Sequence, residues 1–496
     1  MQIFPFRKKT RSSLTKLKKL RAASRSSVSS SMATNPTIVL LPVWGSGHFM
    51  PMLEAGKLLL ASSSPRAMSL TVLLMPAPTP QATSEIAEHV RREEAAGLDI
   101  RFRHLPAVKL PTDHSGIEEF ISRTVQLHVP HLRGAISGLA CPVAALVVDI
   151  FCTPALDVSR QLAVPAYVYF TSSAAMLALL LRAPALHQEE GEGAAVELPG
   201  LPAVPRSALP DTMLDSKNPT YSWFVYTGRR YMEANGIIVN TAAELEPRVL
   251  AAIGATALPV YPIGPVLAGI GAEAEQPRHE CLRWLDSQPR ASVLFLCFGS
   301  KGFLSTAQAQ EIAHGLERSG HRFLLVLRGR PADTSHGARN PSDADLAELL
   351  PEGFLGRTKE RGLVWPKRAP QKEILAHPSV GGFVTHCGWN SILESLWFGV
   401  PMLPWPLGAD QHFNAFTSVS DMGVALPLKV DRERGNFVEA AELERAVRSL
   451  MGGGGEGARE KAAEMMMVCR KAVEQSGSSS ASLRRLSQEL IQGPTV

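Results

Sequence analysis

The chain has 496 residues, of which 45% are hydrophobic and 20% charged, and its formal net charge is +5. This length suggests two domains or more, and the composition is that of a globular protein. Residues 1–36 carry nine Lys and Arg and no acidic residue, which leaves 42 basic against 46 acidic residues in the rest. The body therefore lacks the basic excess of a nucleic-acid-binding protein, and no apolar run reaches the ~20 residues needed to span a bilayer.

The six cysteines are scattered along the chain and form no CxxC pair. This spacing argues against a disulfide framework or a metal site, and it fits a reducing compartment. We therefore expect a cytoplasmic protein that binds no metal ion. We also expect a monomer.

Residues 1–36 form a basic, Ser-rich extension that we predict to be disordered. Its composition resembles an organelle transit peptide, so plastid targeting by residues 1–31 is one interpretation. The favoured interpretation is an upstream start or a tail, because Met32-Ala33-Thr34 looks like a natural start just before the first strand.

Deleting residues 1–31 is expected to leave folding and activity unchanged, because this segment lacks a core-forming pattern. The melting temperature and kcat of the truncated protein, measured beside the full chain, would test this expectation. A large fall in either quantity would contradict the interpretation of these residues as a tail.

The first half alternates short apolar strands with helical patterns, which is typical of an α/β protein with a parallel sheet. His48 follows the first strand after a glycine turn, Asp149 ends the third strand, and Thr171 follows the fourth. Ligands of open α/β sheets bind outside the carboxyl ends of strands, so these residues are candidates for one site. The predicted strands are Thr37–Pro42, Leu70–Met75, Leu146–Asp149, Ala166–Phe170 and Gly236–Asn240.

The end of the first half is less regular. Met176–Leu181 is apolar but too short to span a bilayer, so it is predicted as part of a core helix. Residues 183–230 are rich in Pro, Glu and Gly and are predicted to form surface loops around a variable pocket. Two prolines and a glycine in Val260–Val266 indicate an interdomain linker.

The second half repeats the alternation of apolar strands and helical patterns, with strands predicted at Ser292–Phe298 and Phe323–Leu327. Ser305 and Gln308 form a capping box for a helix that ends at Ser319. Residues 329–349 are polar and loop-like.

Two features near the C-terminus complete the predicted second half. Gly452–Gly455 is predicted as a flexible break. Leu483, Leu486 and Leu490 lie on one face of a final helix.

The stretch Gly381–Ser395 predicts a buried strand, a glycine turn and the start of a helix. A helix start offers unpaired N–H groups and the positive end of a dipole, which together attract phosphate. Asn390 and Ser391 are good N-cap residues whose side chains also reach an anion, and His386 adds a donor. Taken alone, the stretch fits equally well an ordinary strand-to-helix turn with a buried His and Trp.

The 44 residues Arg368–Gln411 closely resemble the signature box of the plant secondary-product glycosyltransferases, the family 1 UDP-glycosyltransferases. They read RAPQKEILAHPSVGGFVTHCGWNSILESLWFGVPMLPWPLGADQ, and the resemblance extends from about Thr37 to the C-terminus. It implies the α/β GT-B architecture, in which two Rossmann-like domains face each other across a cleft. It also implies inverting transfer from a UDP-sugar co-substrate, without a cofactor or a metal ion.

The resemblance divides the chain as follows. Residues 37–260 are predicted to form the acceptor-binding domain and residues 268–474 the UDP-sugar-binding domain. Residues 261–267 link the two, and residues 475–496 form a helix that returns to the first domain.

The resemblance also assigns the donor site. Glucose users of the family usually have Gln at the last position of the box, so UDP-glucose is the expected donor. Hydrogen bonds to a charged phosphate are roughly twice as strong as neutral ones, which explains how the family manages without a metal. The implied ligands are Ser300, His386, Asn390 and Ser391 for the diphosphate, Gln371 and Glu394 for the ribose, and Trp389, Asp410 and Gln411 for the sugar. Ala369 and Thr171 are further donor-side predictions.

Two positions depart from the family pattern. The box normally begins with a Trp that stacks on uracil, whereas this chain has Arg368. A guanidinium plane also stacks on bases, so donor binding is expected to survive with lower affinity. Gly408 stands where an aromatic residue is common beside the sugar, which would loosen the sugar or widen the acceptor pocket.

By the same resemblance, His48 is the general base and Asp149 its partner. A phenol titrates near pKa ~10 and His near ~6.5, so full deprotonation before attack would cost ~5 kcal/mol. Proton transfer concerted with attack is therefore expected. Asp149 would hold the imidazole tautomer and stabilise the imidazolium. One displacement converts an α-linked donor into a β-glucoside.

The acceptor is expected to be a small phenolic compound of the flavonoid kind. Trp44, Phe49, Phe151 and Met176 are candidates for its apolar pocket. Alternatives are a catalytically weakened GT-B protein that binds a nucleotide sugar, a transferase that uses another UDP-sugar, and an epimerase. A dehydrogenase is disfavoured, because the turn before His48 lacks the GxGxxG pattern.

Overall fold

The computed structural model describes residues 35–62, 68–188, 195–256, 258–269, 278–331 and 341–492. The predicted disordered extension, residues 1–36, therefore lies outside the described residues except for its last two positions. Within these ranges, no helix has the length and apolar character that a membrane crossing requires.

The first half of the chain builds a large parallel sheet and a small antiparallel pair. Its strands are β1 (Thr37–Leu41), β2 (Ser69–Leu74), β3 (Ile100–His104), β4 (Val143–Asp149), β5 (Ala166–Phe170), β6 (Ala195–Val196), β7 (Val204–Pro205), β8 (Gly236–Val239) and β9 (Val260–Pro262). The seven-stranded sheet has the order β3-β2-β1-β4-β5-β8-β9, and β6 pairs with β7. Since β1 and β5 are buried throughout, their sequences are continuous apolar runs rather than alternating patterns.

Helices cover both faces of this sheet. They are α1 (Ser46–Ser62), α2 (Pro80–Ala96), α3 (Ile117–Ser137), α4 (Leu156–Leu162), α5 (Ala174–Leu186), α6 (Pro219–Tyr231) and α7 (Pro247–Gly254). The core helix predicted around Met176 is α5, which begins after Ser173, whose hydroxyl accepts the N–H of Met176 at 3.0 Å.

The second half contains a five-stranded parallel sheet and a two-stranded antiparallel pair. The strands of this half are β10 (Val293–Cys297), β11 (Arg322–Val326), β12 (Arg328–Pro331), β13 (Pro341–Asp343), β14 (Gly362–Trp365), β15 (Val380–Thr385) and β16 (Met402–Pro404). The sheet order is β14-β11-β10-β15-β16, while β12 and β13 form an antiparallel pair. Two parallel sheets with helices on their faces are what the predicted GT-B architecture requires.

The helices of the second half are α8 (Glu280–Asp286), α9 (Thr306–Ser319), α10 (Leu346–Leu349), α11 (Phe354–Thr358), α12 (Gln371–Leu375), α13 (Trp389–Phe398), α14 (Gln411–Ser420), α15 (Ala440–Met451), α16 (Glu456–Ala472) and α17 (Ser478–Gln492). Ser305 caps α9 as predicted, since its hydroxyl accepts the N–H of Gln308 at 3.2 Å. The Gln308 side chain, however, bonds both backbone groups of Val438, so only half of the predicted capping box forms.

The last helix, α17, packs on the first sheet. Leu483, Leu486 and Leu490 share a core cluster with residues of β1 and β2. Arg485 lies over the ring of Tyr261 at 4.6 Å. The helix therefore ties the end of the chain to the first half.

Several segments differ from the predicted loops. Residues 260–262 form the edge strand β9, so the connecting segment begins only after it. Part of the region predicted as surface loops is helical, because residues 219–231 form α6. Gly452–Gly455, predicted to be flexible, contains a tight 3-10 turn in which Gly455 packs against the backbone of Leu450. The polar stretch 329–349 contributes strand residues and α10, and residues 332–340 lie outside the described residues.

Candidate active site

His48 and Asp149 meet at the carboxyl edge of the first sheet. His48 lies in the first turn of α1, and Asp149 is the last residue of β4. Nδ1 of His48 lies 2.9 Å from Oδ2 of Asp149, whose other oxygen accepts the N–H of Phe151 at 3.1 Å. A carboxylate only accepts hydrogen bonds, so Nδ1 carries the proton and Nε2 keeps its lone pair for a substrate.

The surroundings of His48 strengthen it as a base. The Asp149 side chain is fully buried, whereas that of His48 is 29% exposed. Burial lowers the pKa of His48, but the charge of Asp149 and the hydrogen bond to it outweigh burial and leave the pKa above its ordinary value. The charge of Asp410, from the second half, adds to this increase. The predicted base on the first domain therefore lies within electrostatic reach of a predicted sugar ligand on the second.

Aromatic side chains border His48 on the side predicted for the acceptor. The ring centroid of Phe151 lies 5.6 Å from that of His48. Trp44 packs edge-on against Phe120 at 6.1 Å. Trp44 and Phe151 lie against the same core cluster that contains Met176, so three of the four predicted acceptor residues share one face of the sheet.

Phe49 does not belong to this group, contrary to the prediction. Its side chain is 2% exposed and lies in the core cluster on the opposite face, near the ring of His89 on α2. Successive residues of a helix point about 100° apart, so Phe49 and its neighbour His48 face different sides. Phe49 therefore packs in the core on the other face of the sheet and is not placed to line the acceptor pocket beside Trp44 and Phe151.

The start of α13 presents backbone donors to the cleft. Gly388 occupies the N-cap position, and within the described residues no side chain caps this helix. The prediction that Asn390 or Ser391 is the N-cap is therefore wrong, because both lie inside the first turn. The uncapped N–H groups and the helix dipole still favour an anion at this position.

His386 lies in a slot before this helix. A side chain at Gly299 or Gly388 would collide with its imidazole, so both glycines make room for the ring. Burial lowers the pKa of His386 to about 4, so the ring is neutral near pH 7. Nδ1 is buried and finds no hydrogen-bond partner among the described residues, which is costly unless a ligand supplies one. Ser300 follows Gly299 at the same edge of the sheet.

Two residues of α13 form hydrogen bonds with the first domain. The Asn390 amide donates to the carbonyl of Gly47, next to His48, at 3.2 Å. The indole N–H of Trp389 donates to the carbonyl of Asn240 at 2.7 Å, and its side chain is only 3% exposed. The indole of Trp389 is thus occupied in the interdomain contact, and only its backbone remains for the sugar contact that the resemblance implied.

Gln371, Ser391 and Glu394 form one hydrogen-bonded group at the predicted ribose position. The Gln371 amide donates to Ser391 Oγ at 2.9 Å and to Glu394 Oε2 at 2.8 Å. Burial raises the pKa of Glu394 to about 7, against the opposing effect of the Gln371 hydrogen bond. Ala369, two residues before Gln371, packs at the edge of a core cluster that contains residues of β10 and β15. The group offers partly buried carboxylate and hydroxyl oxygens to which vicinal hydroxyls can donate.

Asp410 connects the predicted sugar site to the first domain. Its Oδ2 accepts the hydroxyl of Ser172 at 2.5 Å and the amide of Asn414 at 3.0 Å. Sequence reasoning missed both partners. The available signals were that Ser172 follows the predicted Thr171 and that Asn414 lies one helical turn after Asp410. Thr171 itself is buried at the end of β5.

The turn that holds Gly408 and Gln411 is bordered by an interdomain ion pair. The Gln411 side chain accepts the N–H of Leu407 at 2.8 Å. A Cβ at Gly408 would lie 3.5 Å from Oδ2 of Asp211, in the place where the family pattern has an aromatic side chain. Asp211 is held by Arg432, whose Nε donates to Oδ1 at 3.1 Å. The space at Gly408 is therefore lined by a carboxylate rather than left apolar.

Arg368 lies at the opposite end of the cleft, where the nucleotide is predicted to bind. Its side chain is 54% exposed, and its Nη2 lies 3.2 Å from Oε1 of Glu85 on α2. Its carbonyl accepts the indole N–H of Trp365 at 3.0 Å. Trp365 is therefore turned toward the backbone and does not substitute for the missing box tryptophan.

Comparisons with known proteins agree with this architecture. The family model described as UDP-glucoronosyl and UDP-glucosyl transferase matches residues 257–454. A malvidin galactosylase of Oryza sativa subsp. indica is 66% identical over 93% of this chain and 99% of that protein. An anthocyanidin 5,3-O-glucosyltransferase of a Rosa hybrid cultivar is 38% identical over 91% of this chain and 98% of that protein.

A solved structure supports the fold. Phytolacca americana UGT2 complexed with UDP-2fluoro-glucose and pterostilbene matches with a TM-score of 0.80 and 35% identity. The match covers 92% of this chain and 99% of that one. The predicted GT-B fold is thereby confirmed.

Proposed function

The chain belongs to the plant UDP-glycosyltransferase family, and from this premise we propose that it transfers glucose from UDP-glucose to a hydroxyl of a small phenolic plant metabolite, with inversion. The observation that supports this proposal most strongly is the placement of His48. Its Nδ1 is held by Asp149, while Asn390 reaches the neighbouring Gly47 and the charge of Asp410 acts on its ring. A base on one domain therefore faces donor-binding groups on the other.

The reaction follows from this arrangement. The acceptor hydroxyl gives its proton to Nε2 of His48 as its oxygen bonds to the anomeric carbon from the face opposite UDP. The bond from that carbon to the diphosphate oxygen breaks, and its electron pair leaves with UDP. Asp149 stabilises the imidazolium, and the start of α13 stabilises the charge on the leaving diphosphate. A single displacement inverts the anomeric centre.

A flat phenolic acceptor suits the residues beside His48. Trp44 and Phe151 offer aromatic surface, and Met176 offers an adaptable apolar side chain. The Oryza sativa and Rosa relatives carry the names of anthocyanin-type acceptors, which supports a flavonoid-like acceptor here.

UDP-galactose is the second candidate donor, because the 66% identical relative is named a galactosylase. Glucose and galactose differ in the orientation of one hydroxyl, so discrimination rests on a few hydrogen bonds of about 0.5–1.5 kcal/mol each. Asp410 and Gln411, whose side chains are oriented by Ser172, Asn414 and a backbone N–H, are the groups proposed to make that choice.

The proposal is tested by incubating the protein with UDP-glucose, UDP-galactose and UDP-glucuronic acid against a panel of flavonoids and simple phenols. The product mass gives the sugar, and the coupling constant of the anomeric proton gives the configuration. A β-glucoside with the highest kcat/KM for UDP-glucose is expected. A higher value for another donor would replace glucose, an α product would contradict inversion, and UDP binding without any transfer would favour the binding-protein alternative.

Replacing Arg368 with Trp is expected to lower the KM for UDP-glucose about fivefold with little change in kcat. Base stacking is worth about 1–3 kcal/mol, and an indole offers more stacking area than a guanidinium, so a gain of about 1 kcal/mol is expected. Steady-state kinetics at saturating acceptor would measure it. Arg368→Lys is the control, since it keeps the charge but removes the plane and should raise KM. An unchanged or raised KM in Arg368→Trp would mean that an indole at this position gains no stacking energy over the guanidinium.

A further inference from the structure

An ion pair spans the cleft at the nucleotide end. Glu85 lies on α2 of the first domain, where it lines a small crevice with Gly45 and Phe49, beside the start of the helix that carries His48. Its Oε1 lies 3.2 Å from Nη2 of Arg368, and its side chain is 19% exposed against 54% for the arginine. The same oxygen accepts the amide of Gln81 at 3.2 Å, so the carboxylate is fixed on its own helix.

The guanidinium of Arg368 stands among other cations. Burial lowers the pKa of Lys301, which also lies close enough for the charge of Glu85 to raise that pKa and the charge of Arg368 to lower it. Arg328, whose Nε donates to the carbonyl of Ser342 at 3.0 Å, also repels Arg368. An arginine that is half exposed and repelled by two neighbours would sample many rotamers without a counter-charge. Glu85 is the carboxylate that the structure places against it.

We propose that Glu85 is a positioning residue for the donor: by pairing with Arg368 across the cleft, it holds the guanidinium plane where the nucleotide base stacks. This inference rests on the proposed function, since it needs a UDP-sugar in the cleft. Arg368, which departs from the family pattern at the first position of the signature box, thereby has a partner in the other domain. A tryptophan at that position needs no such partner, because an indole carries no charge and fewer rotatable bonds.

The opposite effect, repulsion of the anionic nucleotide by Glu85, is weaker. The guanidinium neutralises the carboxylate at 3.2 Å, and a neutral pair exerts little field on groups beyond it. The diphosphate is expected at the start of α13, beside His386 and Ser300, rather than at this pair. Glu85 should therefore favour binding of UDP, and the sign of its effect is the test.

The experiment is a double-mutant cycle on UDP affinity, measured by calorimetry, and on the KM for UDP-glucose. Glu85→Gln, Arg368→Trp and the double variant are compared, with Glu88→Gln, an exposed acid on the same helix, as the charge-matched control. Exposed ion pairs contribute about 0.2–1 kcal/mol, so Glu85→Gln should raise the Kd of UDP and the donor KM by about 1.4–5-fold. The kcat, the acceptor KM and the melting temperature should not change.

Two further results are expected. The weakening effect of Glu85→Gln should be absent when residue 368 is already Trp, because the unpaired carboxylate can then only repel UDP, and in the wild-type background the effect should shrink at about 1 M salt, where the Debye length is about 3 Å. A tighter Kd in Glu85→Gln, an equal shift in the Arg368→Trp background, or an equal shift in Glu88→Gln would overturn the proposal. Because UDP binding needs no turnover, a protein that binds UDP but transfers no sugar would refute the proposed function while this test still gives a result.

Discussion

His48→Ala is expected to reduce the rate of sugar transfer by a factor of about 10²–10⁴, the usual contribution of a general base, while UDP binding stays nearly unchanged. The structure explains why the transfer rate should fall while UDP binding is kept. His48 belongs to the first domain, and the residues proposed to hold the diphosphate lie at the start of α13 and after β10 in the second. Removing the imidazole leaves Asp149 buried without its partner, so a modest loss of stability is also expected.

The measurement is kcat with a phenolic acceptor beside the Kd of UDP from calorimetry. His48→Gln is the matched control, because its amide can still bond Asp149 and fill the space but cannot accept a proton at neutral pH. Both variants should lose turnover and keep UDP affinity. Wild-type turnover in either variant would show that another group takes the proton, and a parallel loss of UDP affinity would show that His48 acts on the donor instead.

The parts of the site that sequence could predict are those carried by contiguous patterns. The ends of β1 and β4 place His48 and Asp149 at one edge because parallel strands carry their carboxyl ends to the same side. Their apolar runs were recognisable because both strands are central in the sheet. The edge strand β3, with the sequence IRFRH, was missed, since exposed Arg side chains interrupt its apolar pattern.

Contacts between the domains could not be predicted in this way. Ser172 and Asp410 are 238 residues apart, and Glu85 pairs with Arg368 from the other domain. No local pattern encodes such pairs, because they depend on how the two sheets face each other. Phe49 was misassigned for a related reason: the rotation of α1 decides which of two neighbouring residues faces the acceptor, and the sequence fixes that rotation only through packing.

Asp149→Asn is expected to reduce kcat by about 10²–10⁴-fold, although the side chain keeps its size. In the wild type, the carboxylate accepts a hydrogen bond from the Nδ1–H of His48, which keeps the proton on Nδ1 and leaves the Nε2 lone pair for the acceptor proton. An asparagine whose Oδ1 still accepts the N–H of Phe151 would turn its amide toward the ring. Nδ1 would then accept, and the proton would move to Nε2, which is the tautomer that cannot take the acceptor proton. The loss of a triad-like aspartate acts in the same way in serine proteases, at about 10⁴-fold.

The pH profile distinguishes this mechanism from a simple loss of folding. As the proposed base, His48 would act only when neutral, so activity is expected to fall as the pH drops through its pKa, which Asp149 holds above the ordinary value. Removing that negative charge lowers the pKa of His48, so the residual activity of Asp149→Asn should persist to lower pH than that of the wild type. The check is kcat against pH for both proteins, with the Kd of UDP as the folding control. An acid limb at the same pH in the variant would mean that the limb does not report His48, and a limb moved to higher pH would contradict the pairing of His48 with Asp149.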